Sequence, residues 1–124
     1  MSRRLDDLDP DLRPLAVEFL ARCAEAQIGV WVIDTLRTAA EHTANLANGT
    51  SWITRSLHLP NTRGKAEAFD VAPVVVLPMK GWAPEHPAWR ELGKIGEALG
   101  LGWGGRWKRR DMGHFELKRR TMAR

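Results

Sequence analysis

The sequence predicts an α+β domain with a small, mainly antiparallel sheet packed with helices. Signals for helices and strands follow one another irregularly, in the order helix, strand, helix, loop, strand, helix, strand. Few of the intervening segments are long enough for the regular crossovers that join parallel strands. The third observation is size: 124 residues make one domain, spanning 1–124 with a basic tail from about 118 to 124.

The first helix starts at Asp9-Pro10-Asp11-Leu12, a carboxylate near the cap with proline early. Leu12, Leu15, Ala16, Phe19, Leu20 and Cys23 then recur at helical spacing. Gln27-Ile28-Gly29 closes the helix, glycine being the residue that most easily takes a left-handed cap. Val30-Trp31-Val32-Ile33 is β-branched and aromatic and predicts a strand, ending at Asp34-Thr35-Leu36-Arg37. Thr38-Ala39-Ala40-Glu41 has the form of a capping box and predicts a helix from about Ala39 to Ala47, stopped by Asn48-Gly49. Ser51 to Lys65 is a polar loop. Ala66 to Ala72 predicts a strand, and Val74 to Leu77 either continues it past Pro73 or starts another. From Trp89 to Leu99 a helix puts Trp89, Leu92, Ile95, Gly96 and Leu99 on one face, and Gly100 ends it. Leu101 to Trp107 is a glycine-rich turn or strand pair, and Gly113 to Leu117 is a short final strand.

Composition narrows the function classes. With 44% hydrophobic and 27% charged residues, the chain has the make-up of a soluble globular domain. The single cysteine excludes an intrachain disulfide as well as four-cysteine and Cys2His2 zinc sites. Cys23 lies in an apolar-periodic stretch and reads as a packing thiol. The longest apolar run, Val71 to Met79, is broken by Pro73 and Pro78 and is far short of the roughly 20 residues that span a bilayer. The charged N-terminus lacks the apolar run of a signal peptide, so synthesis in the cytoplasm is expected, with release depending on some other agent. Net charge is +4, and Arg106, Lys108, Arg109, Arg110, Lys118, Arg119, Arg120 and Arg124 crowd the C-terminal end. Such a cluster suits nucleic acid, an anionic membrane or an anionic cell wall, or is simply a solvated basic end.

The polar residues that interrupt apolar strands are the candidates for chemistry. Asp70 sits within Ala68-Phe69-Asp70-Val71-Ala72, where a carboxylate is costly to bury unless a cation or metal pairs with it. His114 alternates with apolar neighbours in Met112-Gly113-His114-Phe115, and His58 stands in the loop before Asp70. Two imidazoles and a carboxylate make a catalytic zinc set that leaves a fourth position for water. Asp111, three residues before His114, is close enough to serve as the proton carrier such a site needs. Each of these residues also has an ordinary reading: an ion pair with an arginine for Asp70, a core or surface histidine for the others. His42, on a polar helix face, and His86, in a proline-flanked loop, fit that ordinary reading. The helical H-E-x-x-H zinc motif is absent.

Ser56-Leu57-His58, then Gly64-Lys65-Ala66-Glu67-Ala68-Phe69-Asp70, then Asp111-Met112-Gly113-His114-Phe115-Glu116 resembles the zinc D-alanyl-D-alanine carboxypeptidase and L-alanyl-D-glutamate endopeptidase family. That family includes phage endolysins and has a small fold shared with the signalling domain of hedgehog. The resemblance runs from about Ile33 to Leu117. It implies His58, Asp70 and His114 as zinc ligands and Asp111 as catalytic base. Many members have glutamate at that last position, whereas the endopeptidase endolysins have aspartate. It also implies that Arg37 stabilises charge on the attacked carbonyl oxygen and that Ser56 steadies the ligand loop. Trp103 and Trp107 are candidates for the wall of the substrate cleft or for packing, and Trp82 and Trp89 for the core. One departure is plain. Eleven residues separate His58 from Asp70, more than the family pattern has, and the extra residues, about Leu59 to Arg63, are expected to bulge outward.

The resemblance thus implies a monomeric zinc peptidase acting on the stem peptide of peptidoglycan. Asp111 and the expected lack of an export signal favour an L-alanyl-D-glutamate endopeptidase acting as a phage endolysin, released through a holin. The basic tail would then help it approach an anionic wall or outer-membrane surface. The alternative within the family is a D-alanyl-D-alanine carboxypeptidase. Outside it, the alternatives are a non-catalytic zinc-fold binding domain and a nucleic-acid-binding module. Retention of Asp111 and Arg37 argues against the first. No helix-turn-helix, zinc-finger or RNA-binding signature supports the second, and no nucleic-acid partner is expected.

Overall fold

The computed structural model describes residues 2–48 and 56–118. Gly49, the first part of the polar loop, and Arg119, Arg120 and Arg124 of the basic tail lie outside the described residues. Helix α1 (Arg13–Glu25) forms where the apolar spacing put it, and buries Ala16, Phe19 and Cys23. Asp9 prepares its start: the side chain accepts the Asp11 N–H at 2.9 Å, and the carbonyl accepts those of Leu12 and Arg13. The helix ends differently from expectation. The left-handed residue is Gln27, at φ 62°, and Gly29 instead lies against Val74.

Strand β1 (Val30–Asp34) follows, then helix α2 (Ala39–Ala47). The capping box at its start is complete: Thr38 Oγ1 accepts the Glu41 N–H, and Glu41 accepts the Thr38 N–H at 2.9 Å. Strand β2 (Ala68–Pro73) stops at the proline, and Val74–Val76 turn into a 3-10 helix, not a strand. Helix α3 (Pro87–Ala98) starts on His86, whose Nδ1 accepts the Ala88 N–H, and presents Trp89, Leu92 and Gly96 inward. Strands β3 (Gly102–Trp103) and β4 (His114–Glu116) complete a sheet of order β1-β2-β4-β3, with every pair antiparallel.

The core lies between the sheet and helices α1 and α3. Phe19 of α1, Phe69 of β2 and Phe115 of β4 meet there, with ring centroids 4.7 to 5.7 Å apart. Helix α3 comes close because residue 96 is glycine: a Cβ there would stand 2.3 Å from the Phe115 ring. Cys23 is fully buried, and burial pushes its thiol pKa up to about 11, as a packing residue requires. Trp89 is core, but Trp82 is 40% exposed and contributes its carbonyl to the Trp89 indole N–H. The expectation that Trp82 is core fails because the chain turns outward there, with Gly81, Trp82 and Ala83 all at positive φ.

The extra residues between His58 and Asp70 do not swing free. Asn61 donates to the buried Asp9 carboxylate at 2.7 Å and to Glu67 at 3.0 Å, and Arg63 pairs with Asp9 at 3.2 Å. The insert is folded back onto the segment that starts α1, which fixes the loop between two of the site residues.

Candidate metal centre and active site

Antiparallel register sorts β2 and β4 by chemistry. Ala68 faces Glu116, Phe69 faces Phe115, and Asp70 faces His114. Side chains alternate along a strand, so the two phenylalanines go to the core while Asp70, His114 and Glu116 share the other face. Close approach of the backbones depends on Gly113, where a Cβ would stand 2.1 Å from the Val71 carbonyl oxygen.

The third side chain arrives from the loop before β2. His58 is held at three points. Its N–H donates to Ser56 Oγ at 3.1 Å, its carbonyl accepts the Arg37 N–H at 2.8 Å, and its Nδ1 donates to the Thr35 carbonyl at 2.7 Å. Ser56 thus supplies one of the three contacts on His58.

His58, Asp70 and His114 bring one ligand atom each to within 4.8 Å of one another. His58 Nε2 is 3.2 Å from Asp70 Oδ2, and His114 Nδ1 is 3.0 Å from Asp70 Oδ1. Ligand atoms about 2.0 to 2.1 Å from a tetrahedral zinc lie roughly 3.3 Å apart, so the spacing suits that ion. The tautomers suit it too. A carbonyl only accepts, so the Thr35 contact puts the proton of neutral His58 on Nδ1 and leaves Nε2 with a lone pair. Glu116 Oε1, 2.9 Å from His114 Nε2, does the same for His114 and leaves Nδ1 with the lone pair. His58 Nε2 is also buried without a hydrogen bond among the described residues: it faces Asp70 at ion-pair distance but not in hydrogen-bond geometry.

The electrostatics of the metal-free cluster point the same way. Burial disfavours a charged His114, yet Asp70 and Glu116 on its two nitrogens outweigh this and push its pKa up to about 10. His58, equally buried, is raised by the Asp70 charge. Asp70 resists burial and is held well below the usual carboxylate range by the two histidines. The cluster thus favours positive charge between Asp70 and the two imidazoles.

Asp111 is brought in by a tight turn, with its N–H donating to the Gly104 carbonyl at 3.0 Å and its carbonyl accepting the His114 N–H at 3.2 Å. Burial, and then the Asp70 charge, raise its pKa, while His114, His58 and Arg37 pull against them. Arg37 is buried beside the cluster, with Nη2 2.9 Å from Asp34 Oδ2 and Nη1 3.2 Å from His42 Nδ1. The two tryptophans part company. The Trp107 ring lies 4.8 Å from that of His114 and borders the site. Trp103 packs against Gly93 and Gly105 and donates its indole N–H to the Met112 carbonyl at 2.8 Å.

Three participants escaped sequence reasoning. Glu116 follows His114 by two residues on a strand, which puts both on one face, but the spacing alone assigns it no role. Asp34 is buried at the end of β1, where a bulge after Val32 sets it opposite Asp70. His42 is corrected from a polar helix face to the interior. It is 4% exposed because α2 turns it toward the Arg37 guanidinium.

The chain has the fold of a crystal structure of the Serratia marcescens L-Ala D-Glu endopeptidase ChiX. The match has a TM-score of 0.67 and 24% sequence identity, and covers 92% of this chain and 83% of that one. No curated protein sequence matches. A family model described as D-alanyl-D-alanine carboxypeptidase matches residues 54–117, more than half of the chain. That segment contains Ser56, His58, Asp70, Asp111, His114 and Glu116, and leaves Asp34, Arg37 and His42 outside it. The chain therefore belongs to the D-alanyl-D-alanine carboxypeptidase family and is a metallopeptidase that acts on peptidoglycan.

Proposed function

We propose that this protein is a zinc-dependent endopeptidase that cuts the L-Ala–D-Glu bond of the stem peptide, acting as a phage endolysin. The observation that carries the reading is the convergence of His58, Asp70 and His114, with lone pairs turned toward one point and Asp111 beside them. Zinc held by these three residues would supply Lewis acidity and acidify a water at neutral pH. Asp111, whose raised pKa brings it nearer the working pH, takes the proton of the attacking water and returns it to the leaving amine. Arg37 sets its charge against the oxygen that becomes negative. Glu116 and Thr35 hold the two imidazoles in the required tautomers, and Ser56 fixes the loop that carries one of them. Trp107 borders the cleft beside His114.

Aspartate at position 111 supports the endopeptidase branch, as does the shared fold with an L-Ala D-Glu endopeptidase. The second reading, removal of terminal D-Ala, is favoured by the family model's own description. Release through a holin, action as a monomer, and approach to an anionic wall through Arg106, Lys108, Lys118 and the residues beyond belong to the endolysin reading. Mass spectrometry of products from purified Gram-negative peptidoglycan separates these. Zinc-dependent stem peptides beginning at D-Glu are expected. Loss of terminal D-Ala alone would transfer the activity to the carboxypeptidase branch, and no zinc-dependent product would remove it.

A further inference from the structure

We infer that His42 is a positioning residue: together with Asp34 it clamps the guanidinium of Arg37 and sets the direction of its charge. The inference rests on the role given to Arg37 above and concerns residues outside the matched family segment.

A buried arginine beside a reaction centre is useful only if its fork is held in one plane. Arg37 is 8% exposed, and its side chain stands between two acceptors on different elements. From the end of β1, Asp34 Oδ2 takes Nη2 at 2.9 Å, and from the first turn of α2, His42 Nδ1 takes Nη1 at 3.2 Å. One contact alone leaves a guanidinium free to rotate about the held nitrogen. Two contacts, one on each terminal nitrogen, fix its plane. Each terminal nitrogen carries two N–H groups, so one on each is still available to a substrate oxygen.

The clamp needs an acceptor at position 42, since a guanidinium only donates. Nδ1 can accept only when the histidine proton is on Nε2, and Nε2 is buried without a hydrogen-bond partner among the described residues. A helix that merely covered the site would carry an apolar residue here at lower cost. The clamp is joined to the metal ligands at two points. Asp34 Oδ2 lies 3.8 Å from His58 Nδ1, and the Arg37 N–H donates to the His58 carbonyl at 2.8 Å. Displacing the guanidinium therefore matters for the orientation of charge at the cleft, while the ligand set keeps its own supports in Thr35, Ser56 and Glu116.

The test uses the zinc-loaded full chain and a synthetic stem pentapeptide that contains both the L-Ala–D-Glu and the D-Ala–D-Ala bonds. His42→Leu is expected to lower kcat about tenfold with KM within about twofold, the scale of a lost hydrogen bond to a charged group. Zinc content should be unchanged. Affinity for a phosphinate analogue of the tetrahedral intermediate should fall by the same factor as kcat/KM. His42→Asn, whose Oδ1 is bonded to Cγ as Nδ1 is in histidine and can accept from Nη1, should recover most of the loss. In an Arg37→Ala background, His42→Leu should cost nothing further. An equal loss in both backgrounds, or an asparagine variant no better than leucine, would overturn the positioning role. Parental turnover in Arg37→Ala alone would overturn the part given to Arg37, and the inference with it. If the leucine variant does not fold, His42→Ala, which has no side-chain acceptor, carries the same comparison.

Discussion

Asp70 and His114 stand directly opposite one another across the β2–β4 ladder, 44 residues apart in sequence, with Asp70 Oδ1 3.0 Å from His114 Nδ1. Both ride on strands whose other faces carry the core phenylalanines. The same hydrophobic contacts that hold the sheet together therefore place two of the three proposed ligands. Sheet pairing and the aromatic core, not an ion, hold these two residues in place, so stripping the metal should leave the fold intact. The measurement is far-ultraviolet circular dichroism of chelated and zinc-loaded protein, with matching spectra expected.

The metal-free cluster has a pH signature. Its His114 pKa is raised from 6.5 to about 10, so the folded state holds this proton more tightly than the unfolded chain. The resulting stabilisation is fully present below pH 6.5 and is lost as pH rises through about 10. The melting temperature of chelated protein should fall across that window through this term. Zinc-loaded protein, in which the ion replaces the proton, should lack it. Zinc binding near neutral pH should also release protons, seen as a buffer-dependent heat in calorimetry.

Asp111→Ala should abolish turnover and leave zinc bound, because the residue lies beside the ligand set and not in it. In the parent enzyme, the acid limb of kcat/KM should fall above the ordinary aspartate range, as burial and the Asp70 charge require. Loss of zinc from Asp111→Ala would contradict this division of labour.

Glu116→Ala removes the acceptor on His114 Nε2. The ring then loses both its tautomer and its orientation, and zinc affinity should fall about 10- to 100-fold. Competition with a chromogenic chelator reads this directly. An unchanged affinity would make Glu116 a packing residue only.

Gly113→Ala drives a methyl group into the Val71 carbonyl and toward Trp89. Separation of β2 from β4 should cost about 1–3 kcal/mol of stability and weaken zinc binding together with it. Thermal melting with and without zinc checks both.

Much of this was legible in the sequence because local rules governed it. The apolar spacing of α1 and the Thr38–Glu41 capping box carry their own signatures, and both formed as expected. A carboxylate inside an apolar strand and a histidine alternating with apolar neighbours marked Asp70 and His114. The misses have tertiary causes. Gln27 takes the left-handed cap two residues before the glycine that invited it. Val74–Val76 is β-branched throughout, yet the sheet ends at Pro73. His42 sits in a helix of mixed polarity, and only the placement of α2 over Arg37 turns it inward. Asp34 and Glu116 acquire roles from strand register and a bulge, which no single segment encodes.

Elemental analysis of the purified full chain and of Asp70→Ala, each dialysed against trace zinc, tests the central claim most directly. One zinc per parent chain is expected, and none in the variant, whose circular dichroism should still be that of the parent. A folded Asp70→Ala protein that keeps its full zinc would contradict the assignment of His58, Asp70 and His114 as the metal centre.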